Sequence, residues 1–275
     1  MLSFILGKTY SWGSNFIVFD KNNIIVTPWG NGTYQCLENN KVNAIWNVYN
    51  HILSFNDSLT KFDWTSNENI SGSEVLVERM PLISYLNLNN FHNFQEGFSD
   101  QLPEQVVLLK ELTSSPNINL LEIGFNAGHS SDNFLRNNPS LRMISFDLGA
   151  YAYCKISEEY INSTYPNRHK LIIGDSTQRI PEFIMNNKET KFDVIFIDGG
   201  HDYNVVKADL DNCRELSTKD TLVIVDDVVF TNGWEQPYTL GPTQIWNEYI
   251  RDNKIIELGR RDLAPGRGMV WGKYC

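Results

Sequence analysis

The stretch FDVIFIDGGHDYNVVKADL, residues 192–210, changes within a few positions from apolar to polar residues. Residues 194–197 form a continuous apolar run, which is typical of a short strand that is buried on both faces. Asp198 and His201 follow where this run ends, and helical spacing begins directly after them. The stretch therefore predicts a strand, a loop and a helix, with a carboxylate and an imidazole at the carboxyl end of the strand.

The same alternation of strand and helix continues on both sides of this stretch. From residue 118 onward, five strand-like runs are each followed by a helical run: NLLEIGF, RMISFDL, KLIIGD, FDVIFIDG and TLVIVDDVV. Such alternation is typical of a parallel sheet covered by helices on both faces. The final run IIELGRRDLAPGRGMVWGKYC adds two strands around Pro265 and Gly266, which predicts an antiparallel hairpin. We therefore expect an α/β fold with a Rossmann-like, seven-stranded sheet in residues 118–275.

The amino-terminal part of the chain has a different pattern. Residues 1–75 contain short β segments separated by Asn, Gly and Asp, which predicts a small antiparallel β module. The segments are SNFIVFD, NIIVTPW, GTYQCLE, KVNAIWNVY, HILSFND and KFDWTS. Four tryptophans lie in this module: Trp12, Trp29, Trp46 and Trp64. They could stack on a glycan or acceptor, but we favour the interpretation that they fill a small core. Residues 76–117 predict a linking segment that contains helix.

Composition and charge argue against several kinds of partner. The formal net charge of −10 and the pI near 5.0 do not suit binding to a nucleic-acid backbone. No run approaches the ~20 apolar residues of a membrane span, and no signal peptide is recognisable. The four cysteines have no CxxC spacing, which favours a reducing, cytoplasmic compartment. The sequence leaves open whether the chain forms a homo-oligomer.

Polar residues and glycines recur where the predicted parallel strands end, which is where open α/β sheets bind ligands. The first end, LEIGFNAGHSS, has an ExGxxxG pattern rather than the GxGxxG of dinucleotide-binding enzymes. Asp147 closes the second strand, where a carboxylate can bind both hydroxyls of a ribose. Asp175 closes the third, where it can accept a hydrogen bond from an adenine amino group. Each Asp alone could be a turn or helix cap, but the ordered set favours a cofactor site.

With these motifs, residues 118–275 resemble the class I S-adenosylmethionine-dependent methyltransferases. The resemblance implies that the turn after the first strand lies against the methionine part of S-adenosyl-L-methionine. The residues of that turn are Glu122, Gly124, Asn126, Gly128 and Ser130. It also implies that Asp147 binds the ribose and that Asp175 and Ser176 lie near the adenine.

The fourth and fifth strands also end in acidic residues, Asp198 and the pair Asp226 and Asp227. These strands are neighbours in the expected topology, so the three carboxylates can converge. Close carboxylates need a cation or a proton, and a hard divalent ion such as Mg²⁺ suits an all-oxygen set. His201 could then act as the general base that removes a proton from an acceptor hydroxyl. The alternative for His201 is an exposed residue that caps a helix. The alternative for Asp226 and Asp227 is a turn at the end of the strand.

The same residues resemble the metal-dependent sugar O-methyltransferases of macrolide biosynthesis. Those enzymes have Asp-x-x-His after strand four and an adjacent acidic pair after strand five, as here at Asp198, His201, Asp226 and Asp227. Catechol and caffeoyl-CoA methyltransferases end their metal set with Asp-Asn, from which Asp227 departs. The resemblance implies methylation of a sugar hydroxyl, for example on rhamnose or another deoxysugar of a glycan or nucleotide-sugar. A catechol-type small-molecule methyltransferase and a non-catalytic, glycan-binding scaffold are the alternatives.

The long loop after strand five, VVFTNGWEQPYTLGPTQIW, is rich in aromatic residues. We expect Trp234 or Tyr238 to contact the acceptor, because an aromatic ring can stack on a sugar face or on a phenol. Three arginines near the carboxyl terminus could attract an anionic acceptor: Arg260, Arg261 and Arg267. We favour the interpretation that these arginines are solvated surface charges.

Overall fold

A computed structural model describes residues 5, 8–12, 15–20, 23–27, 30–46, 48–77, 80–92 and 97–275. The chain divides into two compact units, Met1–Asn93 and Phe94–Cys275. The predicted linking segment contributes to both units. Its first helix, α1 (Leu82–Leu88), belongs to the first unit, and its second, α2 (Pro103–Leu112), belongs to the second unit.

Eight antiparallel strands of the described residues form a closed barrel in the first unit. They are β1 (Thr9–Trp12), β2 (Asn15–Asp20), β3 (Ile24–Val26), β4 (Gly32–Cys36), β5 (Lys41–Trp46), β6 (Tyr49–Phe55), β7 (Lys61–Ser66) and β8 (Ser71–Val77). Each strand pairs with the next in sequence, and β1 pairs with β8 to close the barrel. The sequence predicted β2 to β7 but missed β1 and β8, so the expected small meander is a closed barrel.

The barrel is filled by the inward-facing side chains of its alternating strands. In β5, for example, Val42, Ala44 and Trp46 are buried while the residues between them are more exposed. Three of the four tryptophans pack together: Trp12 stacks on Trp64 at a ring distance of 4.8 Å and lies 5.3 Å from Trp46. This packing favours the core interpretation of these rings. Trp29 lies outside the described residues.

The second unit contains a mixed sheet of seven strands with the order β11-β10-β9-β12-β13-β15-β14. The strands are β9 (Asn119–Ile123), β10 (Arg142–Asp147), β11 (His169–Ile173), β12 (Val194–Ile197), β13 (Leu222–Asp226), β14 (Ile255–Ala264) and β15 (Arg267–Tyr274). Strands β9 to β13 are parallel, whereas β15 runs antiparallel to β13 and forms a hairpin with β14. The α/β fold with its terminal antiparallel hairpin agrees with the sequence prediction.

Helices connect the parallel strands and cover the sheet. They are α3 (His129–Asn137), α4 (Ala152–Thr164), α5 (Ser176–Asn186), α6 (Tyr203–Arg214) and α7 (Leu240–Arg251), with 3-10 turns at Ser99–Gln101 and Pro237–Thr239. All four residues of β12 are buried, as the continuous apolar run of residues 194–197 predicted. Trp246 of α7 is fully buried in the same core and donates a hydrogen bond to Glu257. Among the described residues, no helix is both long and apolar enough to cross a membrane.

Candidate active site

The five parallel strands of the second unit end at one edge of the sheet, where the predicted site residues lie. The first turn, between β9 and α3, contains two glycines in the left-handed region, with φ of +97° at Gly124 and +79° at Gly128. A Cβ on Gly124 would overlap the carbonyl oxygen of Asp198 and lie 2.6 Å from its carbonyl carbon. Only glycine therefore lets the turn after β9 approach the end of β12 this closely.

The carboxylate of Glu122 lies inside the unit and is fully buried. It accepts hydrogen bonds from the hydroxyls of Ser130 and Ser131 at 2.5 Å and of Ser145 at 2.6 Å. Burial raises the pKa of Glu122 to about 6, although these three hydrogen bonds oppose the shift. This placement favours a structural role, in which Glu122 holds the first turn of α3, over direct contact with a cofactor.

Asp147 organises the loop at the next strand end. Its carboxylate accepts hydrogen bonds from the backbone amides of Asn126 at 2.8 Å and Gly149 at 2.7 Å. The side-chain oxygen of Asn126 is buried and accepts no hydrogen bond from the described residues. A buried polar atom without a partner is costly, so Asn126 is suited to accept a hydrogen bond from a bound molecule.

Asp175 is exposed and caps helix α5, because its carboxylate accepts hydrogen bonds from the amide and the hydroxyl of Thr177 at 2.9 and 2.7 Å. This is the helix-cap alternative, although a capping carboxylate keeps free lone pairs. Ser176 begins the same helix. Nearby, Leu148 and Ile173 expose 65% and 46% of their surface, which leaves apolar surface at the ends of β10 and β11. Sequence patterns did not single out these two apolar residues.

Three side chains at the ends of β12 and β13 converge as a candidate metal centre. Asp198, His201 and Asp227 each place a ligand atom within 4.8 Å of the others. The Nε2 atom of His201 lies 3.0 Å from Oδ2 of Asp227. Asp227 has a left-handed backbone with φ of +58°, which is uncommon for a residue other than glycine and occurs often at functional sites. Carboxylate and imidazole atoms at this spacing are suitable donors for a divalent ion.

Asp226, the third carboxylate that the sequence predicts for this centre, lies outside this group of three but is near enough to Asp198 to raise the pKa of that carboxyl. It still lies in β13, where it pairs with Met269 of β15, and its carboxylate accepts a hydrogen bond of 2.6 Å from the Gln105 side chain. Successive side chains of an extended strand point to opposite faces, so two adjacent acids do not automatically face the same point. The left-handed backbone of Asp227 brings its carboxylate to His201, whereas Oδ1 of Asp226 is buried and accepts no hydrogen bond from the described residues.

Arg267 is half-buried beside these acids and is not the solvated surface charge that we expected. Its guanidinium donates hydrogen bonds to the side-chain oxygens of Gln105 at 2.5 Å and Gln101 at 3.4 Å. Sequence reasoning missed Gln105 because an isolated glutamine in a helix has no recognisable pattern. Burial and the nearby Asp226 and Asp227 raise the pKa of Asp198 well above its usual range, and Arg267 partly opposes the shift.

The aromatic loop contributes one ring to the edge of this group. The Tyr238 ring lies 5.6 Å from that of His201, and 39% of the residue is exposed. Burial raises the pKa of Tyr238, as does the charge of Asp227. Trp234 is partly buried in the same loop, and its carbonyl oxygen accepts a hydrogen bond of 2.7 Å from the amide of Gly266. Of the two aromatic residues expected to contact the acceptor, the structure therefore brings Tyr238 next to His201.

Comparison with known proteins agrees with this fold. Residues 121–228 match a family model described as a methyltransferase domain. These residues include the Gly124 turn, Asp147, Asp198 and Asp227, so the matched region carries the strand ends described above. No curated protein matches the chain significantly in sequence.

Solved structures with a similar fold include an O-methyltransferase from Bacillus cereus in complex with SAH. The similarity has a TM-score of 0.57 at 21% identity and covers 72% of this chain and 93% of that chain. The cofactor-bound protein Rv0187 from MTB gives 0.56 at 16% identity, covering 72% and 91%. The O-methyltransferase TomG from Streptomyces achromogenes, in complex with SAM, gives 0.55 at 15% identity, covering 70% and 87%. The α/β unit, with its methyltransferase domain at residues 121–228, therefore has the class I S-adenosylmethionine-dependent methyltransferase fold.

Proposed function

We propose that the protein is an S-adenosylmethionine-dependent O-methyltransferase that methylates a sugar hydroxyl with the help of a divalent metal ion. The observation that carries the proposal is the convergence of Asp198, His201 and Asp227 at the carboxyl edge of a methyltransferase fold. Gly124 lies in the turn between β9 and α3, which we assign to the cofactor, and it contacts the backbone of Asp198. The proposed cofactor site and the candidate metal centre therefore adjoin. Solved structures of similar fold are described as O-methyltransferases, which supports oxygen as the acceptor atom.

The residues at the ends of β9, β10 and β11 fit the cofactor. The unpartnered, buried oxygen of Asn126 offers an acceptor beside the glycine turn, and Asp147 fixes the backbone of the same loop. Exposed Leu148 and Ile173 offer an apolar surface for a purine ring. When bound, S-adenosylmethionine supplies a methyl group on a positively charged sulfur. Gly124, Gly128 and Ser130 shape this pocket, and Asp175 and Ser176 lie at its adenine end.

The donor set also fits a divalent cation, probed most simply as Mg²⁺ or Mn²⁺. Two carboxylates and an imidazole lie within 4.8 Å of one another, and the proximity of the two carboxylates is unfavourable unless a cation or a proton compensates it. When bound, the ion would lower the pKa of an acceptor hydroxyl and help to orient it. Asp198 and Asp227 are carboxylates that would hold it, and Oδ1 of Asp226, which is buried without a hydrogen-bond partner among the described residues, is available as a further ligand.

We assign His201 the role of general base. Its imidazole is partly exposed, and its Nε2 atom lies 3.0 Å from Asp227, so the ring is oriented at the edge of the carboxylate group. A histidine there can accept the proton of an acceptor hydroxyl, which typically contributes about 10²–10⁴ in rate. The same nitrogen could instead bind the metal, and the two roles differ in their effect on metal affinity.

The acceptor class rests on the spacing of the acids and on the aromatic loop. Asp198 and His201 have the Asp-x-x-His spacing, and Asp227 replaces the Asn of catechol-type enzymes. Tyr238 is placed to contact the acceptor because its ring adjoins His201 and is partly exposed. We therefore expect sugars and nucleotide-sugars, rather than catechols, to be the preferred acceptors.

The test is release of S-adenosylhomocysteine from a panel of sugars, nucleotide-sugars and catechols, with Mg²⁺ or with EDTA. We expect turnover on a sugar that EDTA abolishes and that falls at least ~100-fold in His201→Ala, as loss of a general base predicts. His92→Ala, which changes an exposed histidine of the first unit, is the matched control. If His201→Ala keeps the Mn²⁺ affinity of the wild type, His201 is the base; a parallel loss of affinity would make it a ligand. Turnover that is indifferent to EDTA would refute the metal-assisted reaction.

A further inference from the structure

Asp209 of helix α6 is a buried acid that has no role in the proposed reaction so far. Its side chain is 0% exposed, and neither carboxyl oxygen has a hydrogen-bond partner among the described residues. Burial, with a contribution from the charge of Asp175, raises the pKa of Asp209 to about 7, although the nearby Ser176 hydroxyl opposes the shift. A buried polar group without a partner destabilises the folded chain, so stability does not explain this carboxyl group.

The carboxyl group of Asp209 lies beside two segments at the carboxyl edge of the sheet. A Cβ added to Gly199, in the loop after β12, would lie 3.7 Å from Oδ2 of Asp209. The hydroxyl of Ser176, the first residue of α5, is close enough to act on the pKa of Asp209. Ser176 is half-buried and follows the exposed Asp175, so it extends from the buried acid towards the surface at this edge.

The ionised form of Asp209 restricts the hydrogen bond that Ser176 can offer to a ligand. A carboxylate only accepts hydrogen bonds, whereas a hydroxyl has one proton and two lone pairs. The hydroxyl proton can rotate, so Ser176 can direct it towards the unpartnered oxygens of Asp209. The lone pairs of Ser176 are then left for a donor on the ligand, and an acceptor on the ligand would find no proton there.

An adenine ring meets this requirement and a hypoxanthine ring does not. The exocyclic amino group of adenine has two N–H donors, one for a free lone pair of the Asp175 carboxylate and one for Ser176. Hypoxanthine has a carbonyl oxygen in place of this amino group, so it would present an acceptor to both residues. An acceptor that is left unpaired in a binding site lowers affinity, which makes such a pair of residues selective.

We propose that Asp209 is a positioning residue that orients the Ser176 hydroxyl, so that the cofactor pocket accepts a hydrogen bond from the adenine amino group and discriminates against hypoxanthine. This inference rests on the proposed function, which places Ser176 at the adenine end of S-adenosylmethionine. Asp209 is itself covered by protein and acts only through Ser176.

The test compares the affinities of the full chain for S-adenosylhomocysteine and S-inosylhomocysteine, which differ only in adenine against hypoxanthine. Calorimetry at about pH 8 measures both where the carboxylate form of Asp209 predominates. The ratio of the two affinities should favour S-adenosylhomocysteine in the wild type and fall about tenfold in Ser176→Ala and in Asp209→Leu. In Asp209→Leu, S-inosylhomocysteine should gain affinity, because the freed Ser176 hydroxyl can donate to its carbonyl oxygen.

Three further variants complete the comparison. The double variant Asp209→Leu/Ser176→Ala should show the ratio of Ser176→Ala, because Asp209 has no effect without the hydroxyl. Asp211→Asn, which changes an exposed acid of the same helix, is the matched control and should keep the wild-type ratio. Thermal unfolding identifies misfolded variants. Asp209→Leu should raise the Tm because it removes a buried polar group without a partner, and Asp209→Ala gives the same affinity readout if the leucine variant does not fold.

The outcomes separate this inference from the proposed function. A lower ratio in both single variants, with a gain of S-inosylhomocysteine affinity in Asp209→Leu, supports the positioning role. Equal weakening of both ligands in Asp209→Leu, at the wild-type ratio, would give Asp209 a purely structural role and overturn the inference alone. A ratio that falls only in Ser176→Ala would also overturn it, because Ser176 would then recognise adenine without Asp209. Failure of the folded wild type to bind S-adenosylhomocysteine would overturn the proposed function together with the inference.

Discussion

Replacement of Gly124 by alanine tests how the cofactor turn and the candidate metal centre are coupled. Gly124 has a φ of +97°, and an added Cβ would lie 2.6 Å from the carbonyl carbon of Asp198. The obstacle is backbone and not a flexible side chain, so the turn after β9 and the loop after β12 must move apart. We therefore expect both a loss of stability and a displacement of Asp198.

The size of the effect has two contributions. An alanine at positive φ costs about 1–2 kcal/mol, and forcing a methyl group into a packed site adds about 1–3 kcal/mol. The total of about 2–5 kcal/mol corresponds to a decrease in Tm of roughly 10 °C, since a unit of this size loses about 2–4 °C per kcal/mol.

Gly233→Ala is the matched control for this experiment. Gly233 also has a positive φ, of +82°, but nothing lies within 4 Å of its added Cβ. This variant should lose only the backbone contribution, about 1–2 kcal/mol, and keep the wild-type Mn²⁺ affinity. Thermal unfolding and Mn²⁺ titration of both variants provide the comparison. Equal decreases in Tm would refute the close packing of Gly124 on Asp198. Unchanged Mn²⁺ affinity in Gly124→Ala would refute the coupling between this turn and the candidate metal centre.

Three further predictions concern the pH dependence, the cofactor loop and the acceptor. Burial raises the pKa of Glu122 from 4.5 to about 6, so its contribution to the free energy of unfolding should fall by about 2 kcal/mol as the pH rises through this window. Urea unfolding should show this loss in the wild type and not in Glu122→Gln. Asp147→Asn should weaken S-adenosylhomocysteine binding by calorimetry about tenfold, because an amide cannot accept both loop N–H groups, whereas Asp175→Asn at the exposed cap should have a smaller effect. Tyr238→Ala should raise the KM for the acceptor and leave cofactor affinity unchanged. An equal weakening of acceptor and cofactor binding would indicate that Tyr238 has a general structural role.

Local sequence patterns were sufficient to predict the α/β unit. The continuous apolar run of residues 194–197, the alternation with helices and the glycine turn at Gly124 all depend on nearest neighbours along the chain. They therefore predicted the parallel strands, the terminal hairpin and the edge of the sheet at which the acids meet. Asp147 is the last residue of such a strand and Asp198 directly follows one, so both could be predicted as strand-end acids.

The amino-terminal unit contains strands that local sequence patterns did not predict. Six of its strands follow from alternation and turn residues, but β1 and β8 were not recognised. These two strands pair through contacts such as Thr9 with Val77, at opposite ends of the unit. No local signal specifies a pairing over that sequence distance, so closure of the barrel was decided by the tertiary structure.

For the candidate metal centre too, the sequence determined some features and the tertiary structure decided others. The sequence by itself determined that carboxylates and a histidine occur at the ends of two neighbouring parallel strands. It did not determine the partners of the two adjacent acids, because these depend on the left-handed backbone of Asp227, which lies beside His201, and on the position of Asp226 within β13. The partners of Asp226 lie far away along the chain, at Gln105 and Arg267, and meet it only when α2 and β15 pack against β13. Strand order places the acids at one edge, and long-range packing assigns each its partner.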